Sequence, residues 1–356
     1  MMSLLVFLEA HPISSRQQIN ARPNRLPAPF LTYFSSKIKR ESLLTLLFSA
    51  DWIRFSNMFL QKTIRKRVQV QGIGLHSGKP CTLTFVPAPA GTGVHFIRND
   101  MPHRPSIRAH AFNVTATGYA TTLGGPEFSV STVEHCLSAL SALRIDNLFV
   151  ELDGPEIPIT DGSAEQFLQA LLAVGMLEQD QPRKYCSITR PIYFSEGEKQ
   201  AYVLPYQGLR VSVTIDFPHP AIGKQKFDLD INEQSFAREI ARARTFGFAK
   251  DVEELQKRGL ALGGSLENAI GLDETQILNP EGLRYANEFV RHKALDALGD
   301  LVTLGLPLMG HVVLYKAGHD VMNKLVRKIL ESPDSYREID LGADLSESTK
   351  LRTDTW

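Results

Sequence analysis

One segment near the C-terminal end constrains the fold and the chemistry of this chain more than any other. It reads LNPEGLRYANEFVRHKALDALGDL, and four polar residues recur in it at every fourth position: Glu288, His292, Asp296 and Asp300. Because four residues make about one turn of an α-helix, these side chains line one helix face. Asn279 and Pro280 are residue types favoured at the N-cap and the first helical position. The sequence therefore predicts a helix over residues 280–304.

A histidine and an aspartate one helical turn apart can bind the same metal ion. The H-E-x-x-H motif of zinc metalloproteases uses this spacing with two histidines, a motif that this chain lacks. His292 and Asp296 are therefore a candidate metal pair, and a solvated polar stripe is the alternative. The three cysteines are odd in number and have no C-x-x-C spacing: Cys81, Cys136 and Cys186. A disulfide framework and a cysteine zinc site are both disfavoured, so histidine and carboxylate would hold any metal.

The stretch from Ser131 to His135 is a second candidate, at the start of a predicted helix over residues 131–143. Ser131 followed three residues later by Glu134 fits a capping box, in which the glutamate side chain accepts a hydrogen bond from the N-cap amide. On local grounds alone, this cap is the favoured role of Glu134. His135 points away from the apolar stripe of the helix, and by itself it fits either a ligand or a surface or half-buried histidine.

Two loop segments add further candidates. His319 lies in a glycine turn directly after a predicted strand over residues 310–315, a position where catalytic groups are common. An ordinary turn histidine is the alternative. Thr245, within the text ARTFGF, could donate a hydrogen bond to an oxyanion or could serve only as a turn residue.

The order of predicted elements indicates an α+β protein with two similar domains. In both halves strands come first and helices later, with a boundary near residues 181–182. We therefore predict domains at 58–182 and 183–335, followed by a C-terminal tail at 336–356. Residues 1–57 show no sustained hydrophobic period. They fit a disordered tail or a start codon chosen upstream of Met58, and an organelle transit peptide is the alternative.

Charge and hydrophobicity limit the classes of partner. Basic and acidic residues number 39 each, so the chain has no net charge and gives no global argument for nucleic acid or an anionic membrane. The apolar runs within residues 1–57 are too short to span a bilayer. We expect no nucleic-acid partner and no stable membrane insertion.

Together these segments resemble the UDP-3-O-acyl-N-acetylglucosamine deacetylase family, the zinc-dependent deacetylases of lipid A synthesis. The resemblance runs from about Thr63 to the last predicted helix, and its motifs are long and in the family's order. The matching stretches are GIGLHSGK (72–79), STVEHCLSAL (131–140), IDNLFVELDGPEIPITDGSA (145–164), IDFPHPAI (215–222), ARTFGF (243–248), LGGSLENAI (262–270), LNPEGLRYANEFVRHKALDALGDL (278–301) and YKAGHDVMNKL (315–325).

The resemblance implies a fold and a set of roles. Each of the two domains would be a small β-sheet layered with α-helices, with the active site and one zinc ion at the domain interface, although iron(II) could also occupy such a site. The implied metal ligands are His135, His292 and Asp296. The implied catalytic residues are Glu134 as general base, His319 as general acid, Asp300 as its orienting partner and Thr245 at the oxyanion.

The resemblance also implies how substrate is bound. Lys293 and Lys316 would contact the diphosphate, and Phe246 and Ser265 are further substrate-binding candidates. An insert at about 248–277 would form a passage for the acyl chain, with a normal helical hairpin as the alternative. We expect a cytoplasmic monomer that hydrolyses UDP-3-O-acyl-N-acetylglucosamine, and organelle targeting by residues 1–57 is not excluded. The alternative function is a non-catalytic binding or assembly protein of similar fold.

Overall fold

Ten short strands lie among the described residues up to residue 182. The computed structural model describes residues 59–125 and 127–340. In the first part of this chain the strands are β1 (Leu60–Ile64), β2 (Val68–Ile73), β3 (Pro80–Pro87), β4 (Val94–Arg98), β5 (Ser106–Arg108), β6 (Val114–Ala116), β7 (Thr122–Gly124), β8 (Ser129–Val130), β9 (Leu148–Leu152) and β10 (Met176–Pro182).

Five of these strands form one sheet, in the order β2-β3-β9-β4-β5. Strand β9 lies near its centre, parallel to β4 and antiparallel to β3. Its side chains alternate, because Leu148, Val150 and Leu152 are fully buried while the two residues between them are partly exposed. Strands β6, β7 and β8 form a separate small sheet, and β1 pairs with β10. One face of the main sheet therefore faces the hydrophobic core.

A second series of strands follows residue 182. They are β11 (Lys184–Ile188), β12 (Ile192–Glu196), β13 (Lys199–Leu204), β14 (Leu209–Phe217), β15 (Gly223–Asp230), β16 (Phe246–Phe248), β17 (Ile270–Leu272), β18 (Leu308–Tyr315) and β19 (Tyr336–Asp340). All but β16 and β17 belong to one seven-stranded sheet, in which β18 pairs antiparallel with β13 and parallel with β14 and β11. The alternating burial of β18 again turns one face towards the core.

The edge strand β19 corrects the predicted tail. The prediction places residues 336–340 in that tail, but they pair antiparallel with all five residues of β11. A pairing across such a distance in the chain leaves no local pattern in the sequence, so the sequence alone does not predict this strand. The second sheet therefore extends at least to Asp340.

The helices of the described residues pack on these sheets. They are α1 (Glu134–Ala142), α2 (Glu165–Val174), α3 (Glu233–Glu239), α4 (Ala249–Lys257), α5 (Glu288–Leu301) and α6 (His319–Leu330). Helix α5 contacts α1 in the first part of the chain, and α6, β14 and β15 in the second. It is buried on nearly all of its faces, as expected of a helix enclosed by other elements.

Helices α1 and α5 approach each other closely at a glycine. A Cβ atom added to Gly299 would lie 2.0 Å from the backbone oxygen of Glu134. Real Cβ atoms do not come this close to an oxygen, so only glycine permits this contact without movement of the backbone. The contact brings the first turn of α1 against the side of α5 that carries Asp296 and Asp300.

Three local predictions differ from the structure. Helix α5 begins at Glu288 and not at residue 280, and Val302–Leu304 forms a 3-10 turn. Asn279 is not its N-cap: its side chain accepts a hydrogen bond from the Gly271 amide and donates to the Leu266 and Ala269 carbonyls. Asparagine before proline favours turns as well as helix starts, so the local signal could not decide between them.

The fold class is confirmed as α+β, with small sheets layered against helices. The division into two domains at 58–182 and 183–335 stays a prediction. The interpretations of residues 1–57, of Met58 and of residues 341–356 lie outside the described part of the chain. No helix within residues 59–125 and 127–340 has the length and apolarity needed to cross a lipid bilayer.

Candidate active site

Three buried side chains from two helices converge at the contact between α1 and α5. The Oδ1 atom of Asp296 lies 3.3 Å from Nε2 of His292 and 3.6 Å from Nε2 of His135. One potential ligand atom from each residue lies within 4.8 Å of the other two. Two imidazoles and a carboxylate around one point are a donor set for a divalent transition metal with a further position left for water.

The protonation states of His292 and Asp296 fit a metal site. The Nδ1–H of His292 donates to the Ala243 carbonyl over 3.1 Å, which leaves Nε2 unprotonated and directed at Asp296. Burial lowers the pKa of His292 to about 3, so the ring is neutral. Burial opposes ionisation of Asp296, but its cationic surroundings, which include the Lys293 ammonium group, hold the pKa of this carboxyl well below its usual value. The buried Oδ1 of Asp296 has no hydrogen-bond partner among the described residues, as expected of an atom that binds a cation.

A buried ion pair braces the loop that orients His292. Arg244 donates through its backbone amide and its Nε to Oε1 of Glu288, at 2.9 Å in both cases. Glu288 is fully buried at the start of α5, one turn before His292. The loop residue Ala243, whose carbonyl accepts from His292, is therefore fixed to the same helix as the histidine itself.

Glu134 is not a helix cap, which corrects the local interpretation of its sequence. Helix α1 begins at Glu134, and its N-cap position Val133 makes no side-chain cap hydrogen bond. The Oε2 atom instead accepts a hydrogen bond from the Thr121 amide at 3.0 Å, while Oε1 lies 3.7 Å from Nε2 of His319. Burial raises the pKa of Glu134 above its usual value, which strengthens the carboxylate as a base.

His319 and Asp300 form a second buried pair. Nδ1 of His319 lies 2.8 Å from Oδ2 of Asp300, and Nε2 faces Glu134. Burial alone would lower the pKa of His319, but the carboxylates of Asp300 and Glu134 outweigh it and raise that pKa to about 10. The imidazole is therefore held in its protonated form, with Nε2–H available as a donor.

A cavity of about 530 Å³ opens beside these residues. The predicted site residues that line it are Glu134, His135, Thr245, Phe246, His292, Lys293, Asp296 and His319. The backbone of Thr245 is fixed on both sides, because its amide donates to Gly162 and its carbonyl accepts from Ile270. Phe246 stacks edge-on against Phe289 at 5.1 Å and so presents a rigid apolar wall.

Lys293 lies beside one of the metal-ligand candidates, and its expected contact with the substrate diphosphate stays a prediction. Its ammonium group donates to Oδ2 of Asp296 at 2.8 Å and lies 5.4 Å from the ring centre of Phe246. Burial lowers the pKa of Lys293, but Asp296 outweighs this and raises it, so the charge is kept. Lys293 thus neutralises the metal-ligand candidate while it lines the cavity.

Lys316 and Ser265 do not line this cavity. The Lys316 ammonium lies 3.0 Å from Glu198 and 3.4 Å from Asp216, and its backbone has a positive φ of 53°. Ser265 is exposed, and its hydroxyl accepts a hydrogen bond from the Glu267 amide. Their assignment to substrate binding stays a prediction.

Other lining residues were not found from the sequence. The loop residues Thr117, Gly118 and Tyr119 and the strand residue Lys199 all face the cavity. Thr121, just behind it, contacts both Glu134 and Asp300. None carries a distinctive local motif, so only their position in the folded chain reveals them.

Sequence comparisons with known proteins find one family. Residues 61–331 match the family model described as UDP-3-O-acyl N-acetylglycosamine deacetylase (LpxC). A protein of Bdellovibrio bacteriovorus named UDP-3-O-acyl-N-acetylglucosamine deacetylase is 73% identical over 296 residues, which cover 83% of this chain and 98% of that protein. Proteins of the same name from Myxococcus xanthus and Syntrophus aciditrophicus are 52% and 45% identical, over 78% of this chain and 88% and 89% of their own lengths.

Proposed function

The chain belongs to the UDP-3-O-acyl-N-acetylglucosamine deacetylase family, and from this premise we propose that it removes the N-acetyl group of UDP-3-O-acyl-N-acetylglucosamine in lipid A biosynthesis, with a catalytic metal ion. The products are acetate and the free amino sugar nucleotide. We propose Zn²⁺ as the ion, with Fe²⁺ as an alternative occupant of the same ligands.

One observation carries the proposal: a buried base, Glu134, and a buried acid, His319, face each other beside the three metal-ligand candidates. Glu134 is adjacent in sequence to His135 and lies 3.7 Å from His319, and all three line the cavity. Amide hydrolysis needs a base for the attacking water and an acid for the departing amine. A non-catalytic binding protein has no need of such a pair.

The ion would be held by His135, His292 and Asp296, and it would supply a Lewis acid and a water with a pKa lowered to about 7. Glu134 accepts the proton of the attacking water at Oε1, because Oε2 is held by the Thr121 amide. The Thr245 hydroxyl donates a hydrogen bond to the developing oxyanion, and such a donor typically stabilises the transition state by about 3–4 kcal/mol. His319 gives the proton on Nε2 to the departing nitrogen.

The substrate has an anionic nucleotide at one end and an acyl chain at the other. Lysines around the cavity fit the diphosphate. Lys293 and Lys199 line the cavity, and Lys316 shortly precedes the lining residue Gly318 in the sequence. The segment after α4 exposes the apolar side chains of Leu262 and Leu266, which fits an acyl passage in the 248–277 insert. A cytoplasmic location and a monomeric state complete the proposal.

The test measures acetate release from UDP-3-O-acyl-N-acetylglucosamine by the purified chain before and after metal removal, and after addition of Zn²⁺ or Fe²⁺. We expect activity to disappear with the metal and to return with about one equivalent of added ion. Folded, metal-loaded protein without activity would leave the non-catalytic binding function as the better account.

A further inference from the structure

Thr121 connects two carboxylates of the site, those of Glu134 and Asp300, through its amide and its hydroxyl. Its amide donates to Oε2 of Glu134 at 3.0 Å, and its hydroxyl donates to Oδ1 of Asp300 at 2.6 Å. Its carbonyl accepts from the Val133 amide at 3.3 Å, just before α1. Thr121 is 2% exposed, so none of these bonds competes with bulk water.

The direction of the hydroxyl bond follows from the chemistry of its partner. An ionised carboxylate only accepts hydrogen bonds, so the single proton of the Thr121 hydroxyl points at Asp300. Hydrogen bonds to an ionised group are shorter and about twice as strong as neutral ones, and the 2.6 Å separation agrees with this.

In each carboxylate, one oxygen is held by a hydrogen bond from Thr121, and the other, the working oxygen, faces His319. In Asp300, Oδ1 is held by Thr121 and Oδ2 meets His319 at 2.8 Å. In Glu134, Oε2 is held by Thr121 and Oε1 faces His319 at 3.7 Å. A carboxylate that is fixed at one oxygen cannot rotate to offer the other, so both working oxygens keep their directions.

We propose that Thr121 is a positioning residue of the deacetylase reaction, which orients His319 through Asp300 by its hydroxyl and Glu134 by its amide. The inference rests on the proposed function, and it assigns no direct contact with substrate, because Thr121 does not belong to the lining of the cavity. It couples the base and the acid through one residue, so that both are set in position by the same turn before β7.

The side-chain part of this role is separable by substitution. Thr121→Val keeps the shape and the amide but removes the hydroxyl, and Thr121→Ser keeps the hydroxyl. Loss of a hydrogen bond to a charged group, where that bond supports the transition state, lowers the rate by about tenfold or more. We expect Thr121→Val to lower kcat by about that factor, with KM and bound metal unchanged, and Thr121→Ser to restore most of kcat. Thr63→Val, which removes a buried hydroxyl that accepts from the Ala88 amide outside the cavity, should leave kcat unchanged.

A double substitution separates positioning from general damage. In a His319→Gln background, Thr121→Val should cause no further fall in kcat, because the residue that it positions is already gone. A wild-type kcat in Thr121→Val, a fall that persists in the His319→Gln background, or a Thr121→Ser variant as poor as Thr121→Val would each overturn the proposal.

A spectroscopic readout keeps this test independent of the deacetylase assay. In protein labelled with ¹⁵N-histidine, the Nδ1–H proton of His319 should give a protected resonance in the wild type and in Thr121→Ser, and a broadened or absent one in Thr121→Val. An unchanged resonance in Thr121→Val would overturn the positioning role. A wild type that releases no acetate but shows this pattern would refute the proposed function and leave the positioning role of Thr121 supported.

Discussion

Oε1 of Glu134 lies 3.7 Å from Nε2 of His319, and the two residues come from the first turns of different helices, α1 and α6. Burial raises the pKa of the carboxyl, and the surrounding carboxylates raise the pKa of the imidazole. The pair therefore places an anionic proton acceptor opposite a cationic proton donor at the wall of one cavity.

Glu134→Gln tests the base. The amide keeps the size of the side chain but cannot take a proton, so we expect turnover to fall by about 10²–10⁴-fold, the usual contribution of general base catalysis. Bound metal should stay at the wild-type level, because Glu134 is not among the three ligand candidates. Acetate release and metal content measured on the same sample check both statements. The exposed Glu331→Gln is the matched control, and turnover of Glu134→Gln within twofold of that control would refute the base assignment.

His292→Ala tests the metal centre without the use of activity. The substitution removes one of the three ligand candidates, so we expect the bound Zn²⁺ to fall well below one equivalent. A metal that binds only the folded state raises the unfolding midpoint, so a chelator should lower Tm of the wild type and change that of the variant little. His95→Ala replaces a partly buried histidine of β4, and this control should keep its metal. Equal metal content in the two variants would contradict the ligand assignment.

Gly299→Ala tests the close contact between α1 and α5. By helix propensity alone, alanine in a helix interior is more favourable than glycine by about 1 kcal/mol. The added Cβ would lie 2.0 Å from the Glu134 oxygen, so we expect the clash to outweigh this gain and to lower both Tm and kcat. Gly125→Ala, where a Cβ meets no atom within 4 Å, is the control. A Gly299→Ala variant as stable and active as this control would show that the contact is not required.

Asp161→Asn tests a pH-dependent contribution to stability. Asp161 accepts hydrogen bonds from Arg284 at 2.6 Å and from the Ser163 hydroxyl at 2.8 Å. Burial raises the pKa of Asp161, but these partners outweigh it and lower that pKa below the usual value. The stabilisation is therefore complete above the unfolded-state pKa, near 4, and is lost as the pH falls through the lower folded-state pKa.

Urea unfolding at several pH values measures this effect. We expect the wild type to exceed Asp161→Asn by about 1 kcal/mol in the free energy of unfolding at pH 7, and this difference to shrink below pH 4. Asp334→Asn removes the same charge at an exposed position and should change stability little. A difference between wild type and Asp161→Asn that stays constant down to pH 2 would contradict the assignment.

The sequence by itself determined what depends on neighbours within one or two turns of chain. The spacing of His292 and Asp296 places both on one face of α5 because the α-helix repeats every 3.6 residues wherever it occurs. The strand predicted over residues 310–315 likewise lies within β18, whose side chains point alternately to opposite faces. The long motifs indicated the family, which periodicity and residue spacing alone do not.

Only the tertiary structure decided which partner each of these side chains meets. Local rules predict that Glu134 caps a helix and that Asn279 starts one. In the structure both side chains instead accept hydrogen bonds from backbone amides of other segments. Thr121 and Asp300 are 179 residues apart in the chain, yet their oxygens are 2.6 Å apart. Periodicity orients a side chain about its own helix or strand but carries no information on what packs against it. That information comes from tertiary packing. Helices α1 and α5 bury their faces against each other, and their close contact at Gly299 brings the site residues together.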